Sequence, residues 1–113
     1  MPPSTRSKPL DRTLAALADP TRRQLVERIG RQPRRASDLC HRLPMSRPAV
    51  SKHLRVLREA GLVEAVPRGR EQLYRLVRHP RGLSEARAYL DRVSQFWDRA
   101  LDAFKAFAES EDE

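Results

Sequence analysis

The chain has 113 residues, of which 39% are hydrophobic and 34% are charged, and its formal net charge is +8. This length suffices for one domain with a modest core, and the surplus of positive charge indicates a polyanion as the partner. Composition excludes a membrane-spanning helix, because no run of about eighteen apolar residues exists, and the single cysteine excludes an internal disulfide framework. Without an apolar secretory segment at its N-terminus, the protein is expected in the cytoplasm.

The charge is unevenly distributed along the chain. Residues 1–82 hold 19 Lys and Arg against 7 Asp and Glu, whereas residues 83–113 hold 4 against 8. The first part therefore carries the basic working surface. Residues 1–8 are Pro, Ser and basic residues without periodicity, and we expect them to form a mobile N-terminal tail.

Three helices are predicted between residues 9 and 45. The first is indicated by the spacing of Leu10, Leu14 and Leu17. Asp19 and Pro20 interrupt it and start a second helix as N-cap and first helical residue, and Gly30 is expected to end that helix. Its buried face comprises Leu25, Val26 and Ile29. A polar loop over residues 32–35 precedes a third helix of about two turns, marked by Ala36, Leu39 and Leu43.

The stretch from Ser46 to Gly61 has the signals of a complete fourth helix. Ser46 is a suitable N-cap, Pro48 falls in the first turn, and Gly61 follows the last periodic residue. One face is apolar, with Val50, Leu54 and Leu57, and the opposite face carries Arg47, Ser51, Lys52, Arg55 and Arg58. A short helix, a turn and a longer basic helix predict a helix-turn-helix, whose second helix enters the major groove of DNA.

A β-hairpin is predicted next, with strands near residues 62–66 and 71–76 and a turn at Gly69. Its tip presents Arg68 and Arg70. After a DNA-reading helix such a hairpin forms a wing whose arginines reach the minor groove or the phosphates. A solvated tip that merely favours charge is the alternative.

From Leu83 the apolar residues recur at spacings of three and four, which predicts a long last helix over residues 83–108. All three phenylalanines and the only tryptophan lie in it, and a domain this small has little to cover them, so a second subunit is expected there. Residues 109–113 form an acidic, frayed tail. The predicted fold class is mostly α with a small β-hairpin: a winged helix-turn-helix of about five helices and a two-stranded wing, with residues 9–82 as its DNA-binding part.

These residues resemble the ArsR family of bacterial winged-helix repressors. The resemblance rests on residues 17–23, 45–54 and 57–63 together with the wing and its closing strand. It implies a homodimer that binds double-stranded DNA at an inverted-repeat operator, with base contacts from Arg47, Pro48, Ser51 and Lys52. It further implies phosphate or minor-groove contacts from Ser46, His53, Arg55, Arg68 and Arg70. The implied dimer interface comprises Leu10, Leu14, Leu90, Val93, Trp97, Leu101 and Phe104.

Many members of that family sense metals, and this chain departs from both of their usual sites. Arg35, Ala36 and Ser37 stand where a Cys-x-Cys would precede Asp38. Cys40 and His41 are adjacent, so on a helix they point about 100° apart, a poor pair for one ion. Residues 83–113 contain no histidine. We therefore expect no metal and no cofactor, and Cys40 is interpreted as a small buried residue, with a redox role as the alternative.

The predicted function is a dimeric, sequence-specific transcriptional repressor, and the alternative is a winged-helix module that binds another protein. An enzyme is not predicted, because the sequence shows no nucleophile–base pair and no Gly-rich phosphate loop. The inducer, whether an organic ligand or a partner protein, is not identified by the sequence.

Overall fold

Five α-helices and a three-stranded antiparallel sheet make up residues 8–111, the part of the chain that the computed structural model describes. The elements in chain order are α1 (Lys8–Leu17), α2 (Pro20–Arg31), β1 (Arg34–Arg35), α3 (Ala36–Cys40), α4 (Arg47–Glu59), β2 (Val63–Arg68), β3 (Glu71–Leu76) and α5 (Arg81–Glu111). The predicted winged helix-turn-helix is confirmed, except that its sheet has three strands instead of two.

Local signals determine the start of α2 and both ends of α4 as predicted. The Asp19 carboxylate accepts hydrogen bonds from the backbone amides of Thr21 at 2.7 Å and Arg22 at 3.1 Å, and Pro20 follows it at the first helical position. The Ser46 hydroxyl oxygen accepts from the amide of Ala49 at 3.3 Å. Gly61 has a φ of 75°, the left-handed conformation that ends helices most readily at glycine.

Two predicted helix ends are wrong. Gly30 does not end α2, which continues to Arg31. The helix stops at Gln32, whose extended backbone (φ −166°, ψ 152°) is the conformation favoured before a proline. The third helix has five residues instead of two turns, because the backbone leaves the helical conformation at His41 (φ −67°, ψ 130°). Leu43 is nevertheless buried, outside any helix, after Arg42 turns the chain with a φ of 66°.

Strand β1 lies in the segment that was predicted to be a polar loop. Arg34 and Arg35 pair antiparallel with Tyr74 and Leu73, so the sheet order is β1-β3-β2. Two residues are too few to display an alternating pattern, and their pairing partner lies about forty residues away in sequence. Strands β2 and β3 form the predicted hairpin, and the Gly69-Arg70 turn joins them with Gly69 at φ 63°.

The core lies where α2, α3 and α4 meet one face of the sheet. Its largest fully buried side chains include Leu25, Leu39, Leu54 and Leu57, and Val63 and Tyr74 close the core from the strands. The predicted apolar faces of α2 and α4 are therefore confirmed. Because Leu54 and Leu57 point inward, the opposite face of α4 is turned to solvent.

Helix α5 is longer than the predicted span of 83–108. It begins at Arg81 and continues through residues 109–111, which were assigned to an acidic tail, since no glycine or proline follows Gly82 and the Ser110 hydroxyl donates to the Phe107 carbonyl at 3.1 Å. Of the predicted N-terminal tail, Lys8 belongs to α1, and residues 1–7 lie outside the described residues, as do 112–113. Among the described helices none has the length and apolar character needed to cross a membrane.

Candidate nucleic-acid interface

The first two turns of α4 present the residues that were predicted to contact bases. Arg47, Pro48, Ser51 and Lys52 are all exposed. Val50 and Leu54, on the other side of the helix, are 1% exposed each and hold it against the core. The four exposed side chains therefore project from a firmly anchored helix, with cationic and hydroxyl groups that can hydrogen-bond base edges.

Two further predicted residues flank this face. The Ser46 hydroxyl oxygen caps the helix, and its proton is still available to donate to a phosphate. The Arg55 guanidinium lies 3.3 Å from the Glu59 carboxylate, and both side chains are mostly exposed. Such a pair contributes about 0.3–0.5 kcal/mol, so Arg55 can exchange Glu59 for a phosphate at little cost.

The wing is cationic at its tip. Arg68 and Arg70 are exposed, and neither forms an ion pair within residues 8–111. Glu71, the acid beside them, is bound by Arg35 of strand β1 at 3.1 Å. Arg35 was not predicted to act here, because the strand that carries it was not predicted. Because Arg35 neutralises the charge of Glu71, the tip of the wing keeps the positive charge of Arg68 and Arg70.

His53 is half-buried and is less available than predicted. Its Nδ1 atom lies 3.3 Å from Nη1 of Arg22 on α2, so only Nε2 can reach a phosphate. Arg22 in turn approaches the Asp19 carboxylate to 3.9 Å. The hydrogen bond from the backbone amide of Arg22 lowers the pKa of Asp19 below its ordinary value of 3.8. The amide of Thr21 and the charge of Arg22 lower this pKa further, and together they outweigh desolvation, which raises it. Sequence reasoning missed Arg22, although it follows the Asp19-Pro20 helix start closely.

A second surface, on α5, is apolar. Trp97 is 67% exposed and Phe104 is 71% exposed, and Leu90 and Leu101 continue the same face. Toward the start of α5 this face joins a groove of about 580 Å³ against α1, whose apolar lining is Leu14, Leu17, Pro80, Leu83, Ala86 and Leu90. The other two residues of the predicted interface, Leu10 and Val93, are half-buried. An apolar surface of this length is typical of a protein–protein interface.

The described residues bring together no group of three or more His, Cys, Asp and Glu side chains that could hold a metal ion. Cys40 is a free thiol, partly buried and packed against the core. The donor set around it therefore does not fit the thiolate sites that the resemblance raised.

The arrangement is that of a winged helix-turn-helix DNA-binding protein. Helix α4 is capped and presents a cationic face outward, a bracing helix precedes it, and a wing with arginines at its tip follows it. The model of the arsR family of bacterial regulatory proteins matches residues 19–65. The chain is also 46% identical over 101 residues to the HTH-type transcriptional regulator Rv2034 of Mycobacterium tuberculosis (strain ATCC 25618 / H37Rv), covering 89% of this chain and 90% of that protein. The protein belongs to the ArsR family of transcriptional regulators, and it is not an enzyme.

Solved structures agree with this assignment. An ArsR-like transcriptional regulator from Rhodococcus sp. RHA1 is 42% identical and superimposes with a TM-score of 0.69, over 88% of this chain and 92% of that one. The homodimeric winged helix-turn-helix DNA-binding domain of Mb0332 from Mycobacterium bovis has a TM-score of 0.60 over 81% of this chain and 90% of its own. Because its identity is 23%, it supports the fold alone.

Proposed function

We propose that this protein is a homodimeric repressor of transcription. It reads an inverted-repeat operator through the first two turns of α4, and its wing binds the flanking DNA backbone. The observation that carries the proposal is the outward row of Arg47, Pro48, Ser51 and Lys52 on a helix anchored by buried leucines. In the cytoplasm, where promoter DNA is accessible, occupancy of such an operator would exclude RNA polymerase.

Base reading is assigned to the N-terminal turns of α4 because recognition helices contact bases there. Arg47 offers two parallel donors that match the O6 and N7 acceptors of guanine, and Ser51 lies one turn further on the same face. The remaining contacts, from Ser46, His53, Arg55, Arg68 and Arg70, are assigned to phosphates or the minor groove. They would supply affinity without sequence preference, and their contribution would fall with salt.

The dimer is assigned to α1 and α5. Apolar residues on α5 repeat every seven positions, with Leu83, Leu90, Trp97 and Phe104 in one row and Ala86, Val93, Ala100 and Phe107 in the other. Tyr89, Phe96 and Leu101 flank these rows and are exposed, so the face is wider than a two-helix seam. We therefore expect both α1 and α5 of a second copy to cover it.

Selection of duplexes from a random library by the purified protein tests the proposal. The expected product is an inverted repeat whose half-sites lie about one helical turn, or a multiple of it, apart. A reporter gene behind that sequence should be repressed when the protein is present. Recovery of no preferred duplex would instead favour the alternative of a module that binds another protein.

The variant Arg47→Ala tests the base-reading role. It should cost about 1–3 kcal/mol in binding to the selected duplex and relax the preference at one base position in each half-site. Arg58→Ala is the matched control, because Arg58 is exposed on the same face of α4 three turns later, and it should leave every base preference in place. An unchanged preference in Arg47→Ala would contradict the role given to Arg47.

A further inference from the structure

One side chain of α2 connects α1 with the recognition helix α4. The Arg22 Nε atom donates to the carbonyl oxygen of Ala16 at 2.7 Å, and Nη2 donates to that of Ala15 at 2.9 Å. Its third nitrogen, Nη1, lies 3.3 Å from Nδ1 of His53. A single guanidinium thus spans the end of α1, the start of α2 and the middle of α4.

The position of this guanidinium follows from the local chemistry. The last carbonyl groups of a helix have no intrahelical partner and carry partial negative charge, and the Asp19 carboxylate adds a full charge 3.9 Å away. Only 17% of the Arg22 side chain is exposed. A planar fork with five donors can bond α1 and α4 together from there, whereas the ammonium group of a lysine cannot.

The contact also selects one tautomer of a neutral His53 ring. A guanidinium has donors and no acceptor, so Nδ1 of His53 must be the accepting atom, and the neutral ring carries its proton on Nε2. Within residues 8–111 nothing hydrogen-bonds Nε2, and this atom is not among the buried polar atoms left without a partner. The Nε2–H group is therefore open to solvent, one residue after Lys52.

We infer that Arg22 is a positioning residue for DNA reading. It holds α4 in a defined place relative to α1, which lies at the dimer interface under the proposed function, and it presents the Nε2–H of His53 as a donor for a DNA phosphate. The inference rests on that proposed function. A displacement of α1 at the interface is transmitted to α4 through this side chain. It thereby changes the distance between the two α4 helices of the dimer.

Arg23 provides a matched control. Its Nη1 atom donates to the carbonyl oxygens of Leu17 at 2.7 Å and Ala18 at 3.1 Å, so it too caps the end of α1. In the described part of the chain it makes no hydrogen bond to α4. Arg22→Lys and Arg23→Lys each weaken the cap of α1, and only the first also removes the link to His53.

The experiment compares the full-length variants on two DNA probes: a duplex selected by the wild-type protein and a random duplex of the same length. Arg22→Lys should lower the ratio of the two affinities about tenfold, as expected when one base contact is displaced, and Arg23→Lys should leave the ratio within about twofold. In the free protein, the ¹⁵N resonance of His53 Nδ1 should move in Arg22→Lys and stay in place in Arg23→Lys.

Two further variants complete the test. His53→Asn keeps an accepting oxygen near Arg22 but removes the Nε2–H donor, so it should weaken both duplexes equally and preserve the ratio. His53→Phe removes the acceptor, and it replaces Arg22→Lys as the test if that variant does not fold. Equal ratios in the two lysine variants, or an unmoved Nδ1 resonance, would overturn the role of Arg22. Failure of the wild-type protein to select any duplex would instead refute the proposed function, and this inference with it.

Discussion

The strongest test of the proposed assembly is Trp97→Ala, which removes the largest exposed side chain of α5. A tryptophan side chain offers at most about 250 Å² for burial, and Trp97 is 67% exposed in the protomer. If a partner covers about half of that exposed area, the loss is roughly 80 Å², or about 2 kcal/mol per protomer at about 25 cal/mol per Å². A two-fold symmetric interface contains the residue twice, so the dimer loses about 4 kcal/mol and its dissociation constant rises roughly 10³-fold.

Sedimentation equilibrium over a concentration series measures this change directly. Gln95→Ala is the control, because Gln95 is exposed on the opposite face of the same helix and should leave the dissociation constant unchanged. Far-UV circular dichroism checks that the Trp97→Ala protomer stays folded, as expected for a side chain outside the core. If the dissociation constant of Trp97→Ala stays within about threefold of the wild-type value, the dimerisation free energy has changed by less than about 1 kcal/mol. That result would refute the assignment of this face to the dimer.

Four other changes probe the wing, the α2 cap, the α1–α5 packing and the contact between α2 and β3. Arg70→Ala should weaken binding to all duplexes alike and reduce the slope of log affinity against log salt by about one, measured by fluorescence anisotropy from low to high salt. Asp19→Asn retains the cap but cannot ionise. The Asp19 pKa lies below 3.8 in the folded protein, so the ionised carboxylate stabilises the fold at pH values above 3.8. The difference in unfolding free energy between the wild-type protein and Asp19→Asn should therefore disappear as the pH falls through the folded pKa. A difference in unfolding free energy, measured in urea, that does not change with pH would contradict this. Gly82→Ala should destabilise by about 1–3 kcal/mol, because a β-carbon there would overlap Thr13 and the Pro9 carbonyl. Gly30→Ala should instead stabilise by about 0.4–1 kcal/mol, since its β-carbon would meet only the Leu76 side chain at ordinary contact distance; unfolding free energies of the two variants with the same sign would contradict the packing argument.

Much of the candidate interface was predictable because it depends on residues close in sequence. The caps at Asp19 and Ser46 and the left-handed Gly61 each act on amides or carbonyls within four residues. The period of α4 places Val50, Leu54 and Leu57 on one face, so Arg47 and Lys52 had to emerge on the other. That these side chains contact DNA stays a prediction.

Contacts between distant segments were not predictable in the same way. Strand β1 is two residues long, and its pairing with Tyr74 and Leu73 depends on the hairpin that lies beside it. The ion pair of Arg35 with Glu71 follows from that pairing. Arg22 and His53 are 31 positions apart, and neither residue carries a local pattern that points to the other.

The sequence by itself determined the winged helix-turn-helix, the cationic outer face of α4 and the aromatic stripe of α5, because helix period, capping and composition are properties of neighbouring residues. Only the tertiary structure decided which groups remain free to act. Packing leaves the apolar face of α5 exposed, places Arg35 beside Glu71 and brings Arg22 into contact with His53. Each of these depends on where whole elements come to rest against one another, which no local pattern encodes.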